Sequence, residues 1–182
     1  MGTKFRNIHE ETINLCRKED TAAQYKLYKL YYKAMYNTAL RIVSHSAEAE
    51  DLMQEAFLSA FQKIDTYKGD VSFGAWLKKI VVHKCLDFLR KKQIKWEEIT
   101  EKTNENVTFE EEFENNEETI NQVTKEIANL PQGYRVVLSL FFLEGYDHEE
   151  ISEILGITAS ASRSQLTRAK QKLLESLRTL KK

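Results

Sequence analysis

Proline and glycine are scarce in this sequence. Its 182 residues hold one proline and six glycines, where average usage of about 5% and 7% would supply roughly 9 and 13. A β-sandwich or barrel needs many turn residues, and a doubly wound α/β fold needs glycine-rich loops between strand and helix. Both are disfavoured, and an all-α chain of two helical lobes is expected. No apolar run approaches the roughly 18 residues of a membrane span, so no membrane insertion is expected. The opening Met1-Gly2-Thr3-Lys4-Phe5-Arg6 lacks the apolar stretch of a secretory signal, and Arg6 stands where a myristoylation signal wants Ser or Thr. The expectation is a soluble, cytoplasmic protein.

Cysteine is equally sparse. Cys16 and Cys85 each sit inside an apolar helical pattern, with no Cys or His at ligand spacing. Both read as buried structural thiols. His9, His45, His83 and His148 are scattered without an HxxxH or HExxH arrangement, so no metal or other cofactor is expected. There is no P-loop, no dinucleotide-binding glycine fingerprint and no GxSxG nucleophile elbow. Nothing points to an enzyme.

What the chain does have is segregated charge. Residues 1–93 carry 16 Lys/Arg against 11 Asp/Glu, net +5; residues 94–120 carry 2 against 10, net −8; residues 121–182 carry 9 against 7, net +2. The middle segment includes Glu110-Glu111-Glu112 and four asparagines, with few apolar residues. Like charges at that density repel and extend a chain. The segment 94–120 therefore reads as an acidic linker between two basic lobes, an arrangement suited to lobes that meet polyanions.

Apolar residues in the first lobe recur at helical spacing. Tyr25, Tyr28, Tyr32, Met35, Tyr36, Ala39, Leu40 and Val43 predict a helix over about 21–44. Ser46 offers an N-cap oxygen to a second helix running to about 66, and Ser72 caps a third that ends in Arg90-Lys91-Lys92. A short helix near 6–18 precedes them. In the second lobe, a helix near 118–129 is followed by Pro131 in the first turn of the next one. That helix carries the buried run from Val136 to Leu143 and is stopped by Gly145. Asp147 and Glu150 resemble a capping box, and Thr158 caps a last helix through Leu166, Ala169, Leu173 and Leu177.

Two helices, 148–155 and one starting near Ser160, joined by the turn 156–159, satisfy the requirements of a helix-turn-helix. Gly156 supplies a left-handed position, and Ile151, Leu155, Ile157 and Leu166 would fix the crossing. Ser160, Ser162, Arg163, Ser164, Gln165, Thr167 and Arg168 remain for solvent or DNA. Small or directional donors of this kind suit base edges and phosphates. Lys170 and Lys172, two to three turns further on, suit phosphates.

These residues carry a resemblance. Leu155 to Leu174, with the preceding Leu130-Pro131 and Arg135, is similar to the fourth conserved region of bacterial RNA polymerase sigma factors. The run Ala49-Glu50-Asp51-Leu52-Met53-Gln54-Glu55-Ala56-Phe57 resembles the core-binding helix of their second region. Phe73-Gly74-Ala75-Trp76-Leu77, with Ile80, Asp87 and Arg90, resembles its promoter-binding part. The short length, with no third domain between, points to the extracytoplasmic-function (ECF) group.

The resemblance implies a partition of 1–93, 94–120 and 121–182 into region 2, acidic linker and region 4. It implies that Asp51, Gln54 and Glu55 contact core RNA polymerase; their i, i+3, i+4 spacing independently places them on one helix face. A loop at about 65–73 would hold an extruded base of the minus-ten element, with Tyr67, Lys68 and Asp70 available. Lys78, Lys79, Lys84, Arg90, Lys91 and Lys92 would track phosphates, and His83 stands where the family commonly has asparagine. Phe73 and Trp76 fall in register with Leu77 and Ile80 and read as core. Arg163, Ser164 and Arg168 would read the minus-thirty-five element. The implied partners are core polymerase, promoter DNA and an anti-sigma factor, for a chain that is monomeric when free. Two rivals stay open: a dimeric helix-turn-helix regulator with a helical dimerisation or ligand lobe, and a helical adaptor without DNA binding.

Overall fold

The computed structural model describes residues 8–92 and 117–180. The chain divides into two compact units, Met1–Ile94 and Lys95–Lys182. Among the described residues every regular element is helical. The acidic linker expected over 94–120 lies outside the described residues as far as 116, and its last residues, 117–120, already form the first turn of a helix.

The first unit contains α1 (Glu10–Cys16), α2 (Thr21–Val43), α3 (Ser46–Gln62) and α4 (Phe73–Lys91). Asp20 starts α2 by accepting a hydrogen bond from the Ala23 amide at 2.7 Å, and Ser44 ends it in the left-handed conformation. The expected Ser46 cap is not made. His45 occupies the capping position without a side-chain bond, and Ser46 is the first helical residue. A 3-10 turn, Ile64–Thr66, replaces the last turn expected of α3. Ser72 caps α4 as expected, accepting from the Ala75 amide at 3.2 Å.

The helical period of α2 is as expected and Met35, Ala39 and Val43 of the expected stripe are buried, but its tyrosine half is offset from the core. Tyr25 is 62% exposed and Tyr32 is also exposed, while Ala23, Leu27, Met35, Thr38, Ala39, Ile42 and Val43 face the core. Tyrosine is amphipathic, so it lines the edge of a core as readily as its centre. Here Tyr28 leans edge-on against Phe57 and stacks on Tyr32. Phe73, Leu77, Val81, Val82, Cys85 and Leu86 of α4 are fully buried, and Trp76 packs against Phe73. Both cysteines are buried. Burial pushes the Cys85 thiol up to about 12, and burial with the Asp20 charge raises that of Cys16.

The second unit contains α5 (Glu117–Asn129), α6 (Gln132–Leu138), α7 (His148–Leu155) and α8 (Ala159–Leu180). Pro131 stands one position before α6 rather than inside its first turn, and its carbonyl accepts from the Arg135 amide at 3.0 Å. Buried Arg135 donates to the carbonyls of Ala128 and Leu130, joining the end of α5 to α6; burial lowers its pKa. After Leu138 the helix widens into a π-turn, Ser139–Leu143. This turn rotates the end of the expected buried run outward. Leu140 is fully buried, but Phe142 and Leu143 are exposed.

Candidate nucleic-acid interface

The helix-turn-helix forms as its punctuation predicts. Asp147 accepts from the Glu150 amide at 2.8 Å, and the Glu150 carboxylate accepts from the Asp147 amide at 2.9 Å. Gly156 takes φ +69, its amide reaching back to the Ser152 carbonyl, and Thr158 caps α8 by accepting from the Ala161 amide at 3.0 Å. Ile151, Leu155 and Leu166 pack between the two helices as buried residues. A cap of this type is worth about 1 kcal/mol, so α7 is stopped at both ends and α8 is fixed at its start.

Not every polar residue of α8 faces outward. Ser160 and Arg163 are exposed, and Ser164, Thr167, Arg168 and Lys170 are half-buried. Ser162 and Gln165 are buried, at 0% and 6% exposure, which removes both from the surface expected to meet DNA. They lie on the stripe that continues through Leu166, Ala169 and Leu173. Ser162 is satisfied there by a 2.9 Å hydrogen bond with His148 Nδ1, and Phe141 stacks on the same imidazole at 4.7 Å. Arg163 Nη1 lies 3.8 Å from a Glu149 carboxylate oxygen, and Lys170 Nζ sits over the Phe142 ring.

In the first unit Asp51, Gln54 and Glu55 are all exposed on one face of α3, with Leu52 and Phe57 buried behind them. Leu58 continues that face and is also exposed, a residue the sequence reading passed over although its i+7 spacing from Asp51 marks it. Glu55 is shared: Lys84 of α4 lies 3.5 Å from its carboxylate.

The basic positions of α4 and its C-cap differ in partners and exposure. Lys84 with Glu55, Arg90 with Asp87 and Lys92 with Glu48 are ion-paired, so these three expected phosphate contacts already hold carboxylates. Lys79 and Lys91 are exposed, Lys78 is half-buried, and His83 is exposed one turn from Lys79. In the loop before α4, Lys68 and Asp70 are exposed around Gly69 at φ +80. Tyr67 is not available. It is 5% exposed, packs against Phe73 and Trp76, and donates its hydroxyl proton to the Val71 carbonyl at 2.7 Å.

Among the described residues no group of His, Cys, Asp and Glu could hold a metal ion, and no helix is long and apolar enough to cross a membrane.

Two helical units, one ending in a cationic helix and the other a capped helix-turn-helix, are the arrangement of a DNA-binding protein. Sigma-70 region 2 matches residues 27–94, and Sigma-70, region 4, matches residues 120–173, between them about two-thirds of the chain. The ECF RNA polymerase sigma factor SigW of Bacillus subtilis (strain 168) is 28% identical over 182 residues, covering 94% of this chain and 97% of the relative. Two solved structures share the fold. One is the sigma factor RpoE in complex with the anti-sigma factor NepR from Bartonella quintana, with a TM-score of 0.57, 22% identity, and 85% of this chain and 96% of that chain covered. The other is CnrH in complex with the cytosolic domain of CnrY, with a TM-score of 0.55, 20% identity, and 92% and 96% covered.

The chain belongs to the sigma-70 family, in its ECF group. It is a transcription initiation factor that directs promoter-specific transcription, and not an enzyme. The region 2 match occupies the lobe that the rival reading of a dimeric helix-turn-helix regulator gave to dimerisation or ligand binding.

Proposed function

We propose that the exposed α3 face of Asp51, Gln54 and Glu55, with Leu58 as an apolar contact at its C-terminal edge, docks on core RNA polymerase. The observation that carries this reading is the coincidence of three polar residues and one uncovered leucine on a single helix face. Interfaces concentrate binding energy where an apolar anchor is ringed by polar groups. The α4 surface of Lys78, Lys79, His83 and Lys91, with the loop tip of Lys68 and Asp70, meets the minus-ten element. Holding an extruded base offsets the few kcal/mol of unstacking. The exposed start of α8, with Ser160, Arg163 and Ser164, reads the minus-thirty-five element, while Arg168 and Lys170 anchor phosphates. The two units thus act as region 2 and region 4, working in the cytoplasm as a monomer when free. The likeness to the sigma factor RpoE, solved with the anti-sigma factor NepR, supports an anti-sigma partner as well.

The test is reconstitution. Full-length protein mixed with core polymerase should give a promoter-specific transcript, and Asp51→Lys with Leu58→Ala should abolish both pull-down of core and the transcript. Native affinity in that folded double variant would overturn the docking face.

A further inference from the structure

Helix α1 precedes the segment that matches region 2, which begins at residue 27. It nevertheless reaches the loop assigned above to the extruded base. Arg17, the residue that ends α1, spreads its guanidinium over three partners. Nη2 donates to the Tyr67 carbonyl at 2.7 Å, Nη1 donates to Asn14 Oδ1 at 2.7 Å, and Nε lies 3.9 Å from an Asp65 carboxylate oxygen. The Asp65 contact is exposed and weak. The partly buried bond to the Tyr67 carbonyl is charge-assisted and short, so it dominates. Asn14 holds the guanidinium plane to α1, and α1 is itself fixed by Ile13 and Cys16, both buried.

Both shoulders of the loop are therefore tied. The Tyr67 carbonyl is held by Arg17, and the Val71 carbonyl is held by the Tyr67 hydroxyl. Between them only the tip 68–70 projects, turned by Gly69. A second route links α1 to the same place: His9 sits edge-on to Tyr31, Tyr31 packs on Phe73, and Phe73 packs on Tyr67. A loop pinned at both shoulders discriminates a ligand better than a mobile one, because no ordering cost falls on binding.

We propose that Arg17 is a positioning residue for the base-holding loop, with α1 acting as its brace. This rests on the assignment of the loop to the minus-ten element. Arg17 touches no DNA in this role; it fixes where Lys68 and Asp70 stand. A lysine at position 17 would keep the charge but could not span Asn14 and the Tyr67 carbonyl with one planar fork.

The experiment uses holoenzyme and single-stranded oligonucleotides carrying the non-template minus-ten element of a promoter it selects, with each base replaced in turn. The readout is the ratio of affinities for the preferred and the poorest base at the extruded position. A variant that only lowers the folded fraction scales both affinities together and leaves the ratio unchanged. Arg17→Gln and Arg17→Lys should both lower the ratio, by about tenfold for loss of one charge-assisted bond, with affinity for core polymerase retained. Lys68→Ala and Asp70→Ala should lower it too. If the tip variants lower the ratio and the Arg17 variants do not, Arg17 is no positioning residue. A parallel fall in all affinities at constant ratio would make it a structural or charge contact only, and would also overturn the proposal. If no variant, tip included, changes the ratio, the loop assignment fails and the brace fails with it.

Discussion

Lys84 Nζ stands 3.5 Å from the Glu55 carboxylate, so a base of α4 and an acid of the α3 face proposed to dock on polymerase neutralise each other across the seam between the two helices. The pair is exposed, and such pairs contribute no more than about 1 kcal/mol to stability. Its consequence lies in availability. A polymerase group that takes Glu55 releases Lys84, and a phosphate that takes Lys84 releases Glu55. Asp51, which carries no ion pair among the described residues, is the cleaner probe of docking alone.

Glu55→Gln should therefore have two opposed effects. Affinity for core polymerase should fall. Non-specific binding of the full-length protein to duplex DNA should rise, with the salt slope steepened by about one as Lys84 gains a phosphate. Asp51→Asn should show the first effect without the second. Titrations at several salt concentrations separate them; an unchanged DNA slope for Glu55→Gln would mean that Lys84 faces no phosphate.

Gly74 is in the first turn of α4, where alanine would ordinarily be a better helix former. A methyl group there would stand 2.9 Å from Tyr31 Cε1. The Tyr31 ring is itself wedged between His9 and Phe73 and has little room to withdraw. Gly74→Ala should thus destabilise the first unit by about 1–3 kcal/mol through overpacking. Tyr31→Leu on top of it should recover part of the loss. Thermal or urea unfolding of the single and double variants decides; a stabilised Gly74→Ala would show that the ring moves freely.

The contact between Gly74 and Tyr31 marks where sequence reasoning stops. Caps and turns were legible because their chemistry is local: Asp147 with Glu150, Thr158 before α8, Ser72 before α4 and Gly156 all act within four residues. Contacts across tens of residues, such as Arg17 with the Tyr67 carbonyl, leave no periodic trace. Tyr67, which the resemblance makes available in the loop for the extruded base, is likewise withdrawn by non-local contact, its packing on Phe73 and Trp76. Ser162 and Gln165 failed differently. Extending the stripe of Leu166, Ala169 and Leu173 backwards by three and four residues lands on both. Polarity alone predicts exposure at both positions, and their place on the apolar stripe overrides it.

His148 gives a pH dependence whose sign can be worked out. Burial first, then the charges of Arg163 and Lys170, lower its pKa from the ordinary 6.5, against the opposite pull of Asp147 and Glu149. The unfolded chain therefore takes up this proton more readily than the folded one. The contribution is fully present above the unfolded value and is lost as pH falls through the folded value. The midpoint of the second unit should drop as pH falls from above the ordinary 6.5 through the lower folded value. His148→Asn, which keeps a neutral hydrogen-bonding group near Ser162, should flatten that part of the profile. A drop of equal size in the variant would place the titration elsewhere.

The burial of Ser162 and Gln165, with Arg168 proposed above as a phosphate anchor, leaves Ser160, Arg163, Ser164 and Thr167 as the candidates for base reading in α8. Among these Arg163 is the strongest, with 57% side-chain exposure at the helix start and only a 3.8 Å approach to exposed Glu149 to give up. Removing a bidentate guanidinium–guanine pair through Arg163→Ala should cost about 1–3 kcal/mol and relax preference at one base pair. Arg163→Lys should recover only part of it. Lys170→Ala should weaken all sequences alike and lower the salt slope by about one. Ser162→Ala should instead leave base preference untouched and lower stability, because His148 is deprived of its hydrogen-bond partner inside the unit. Binding of holoenzyme to promoter variants at several salt concentrations tests all four. A changed base preference in Ser162→Ala, with Arg163→Ala weakening every sequence uniformly, would reverse these roles: the buried serine would set the register of the reading surface, and the exposed arginine would hold only phosphate.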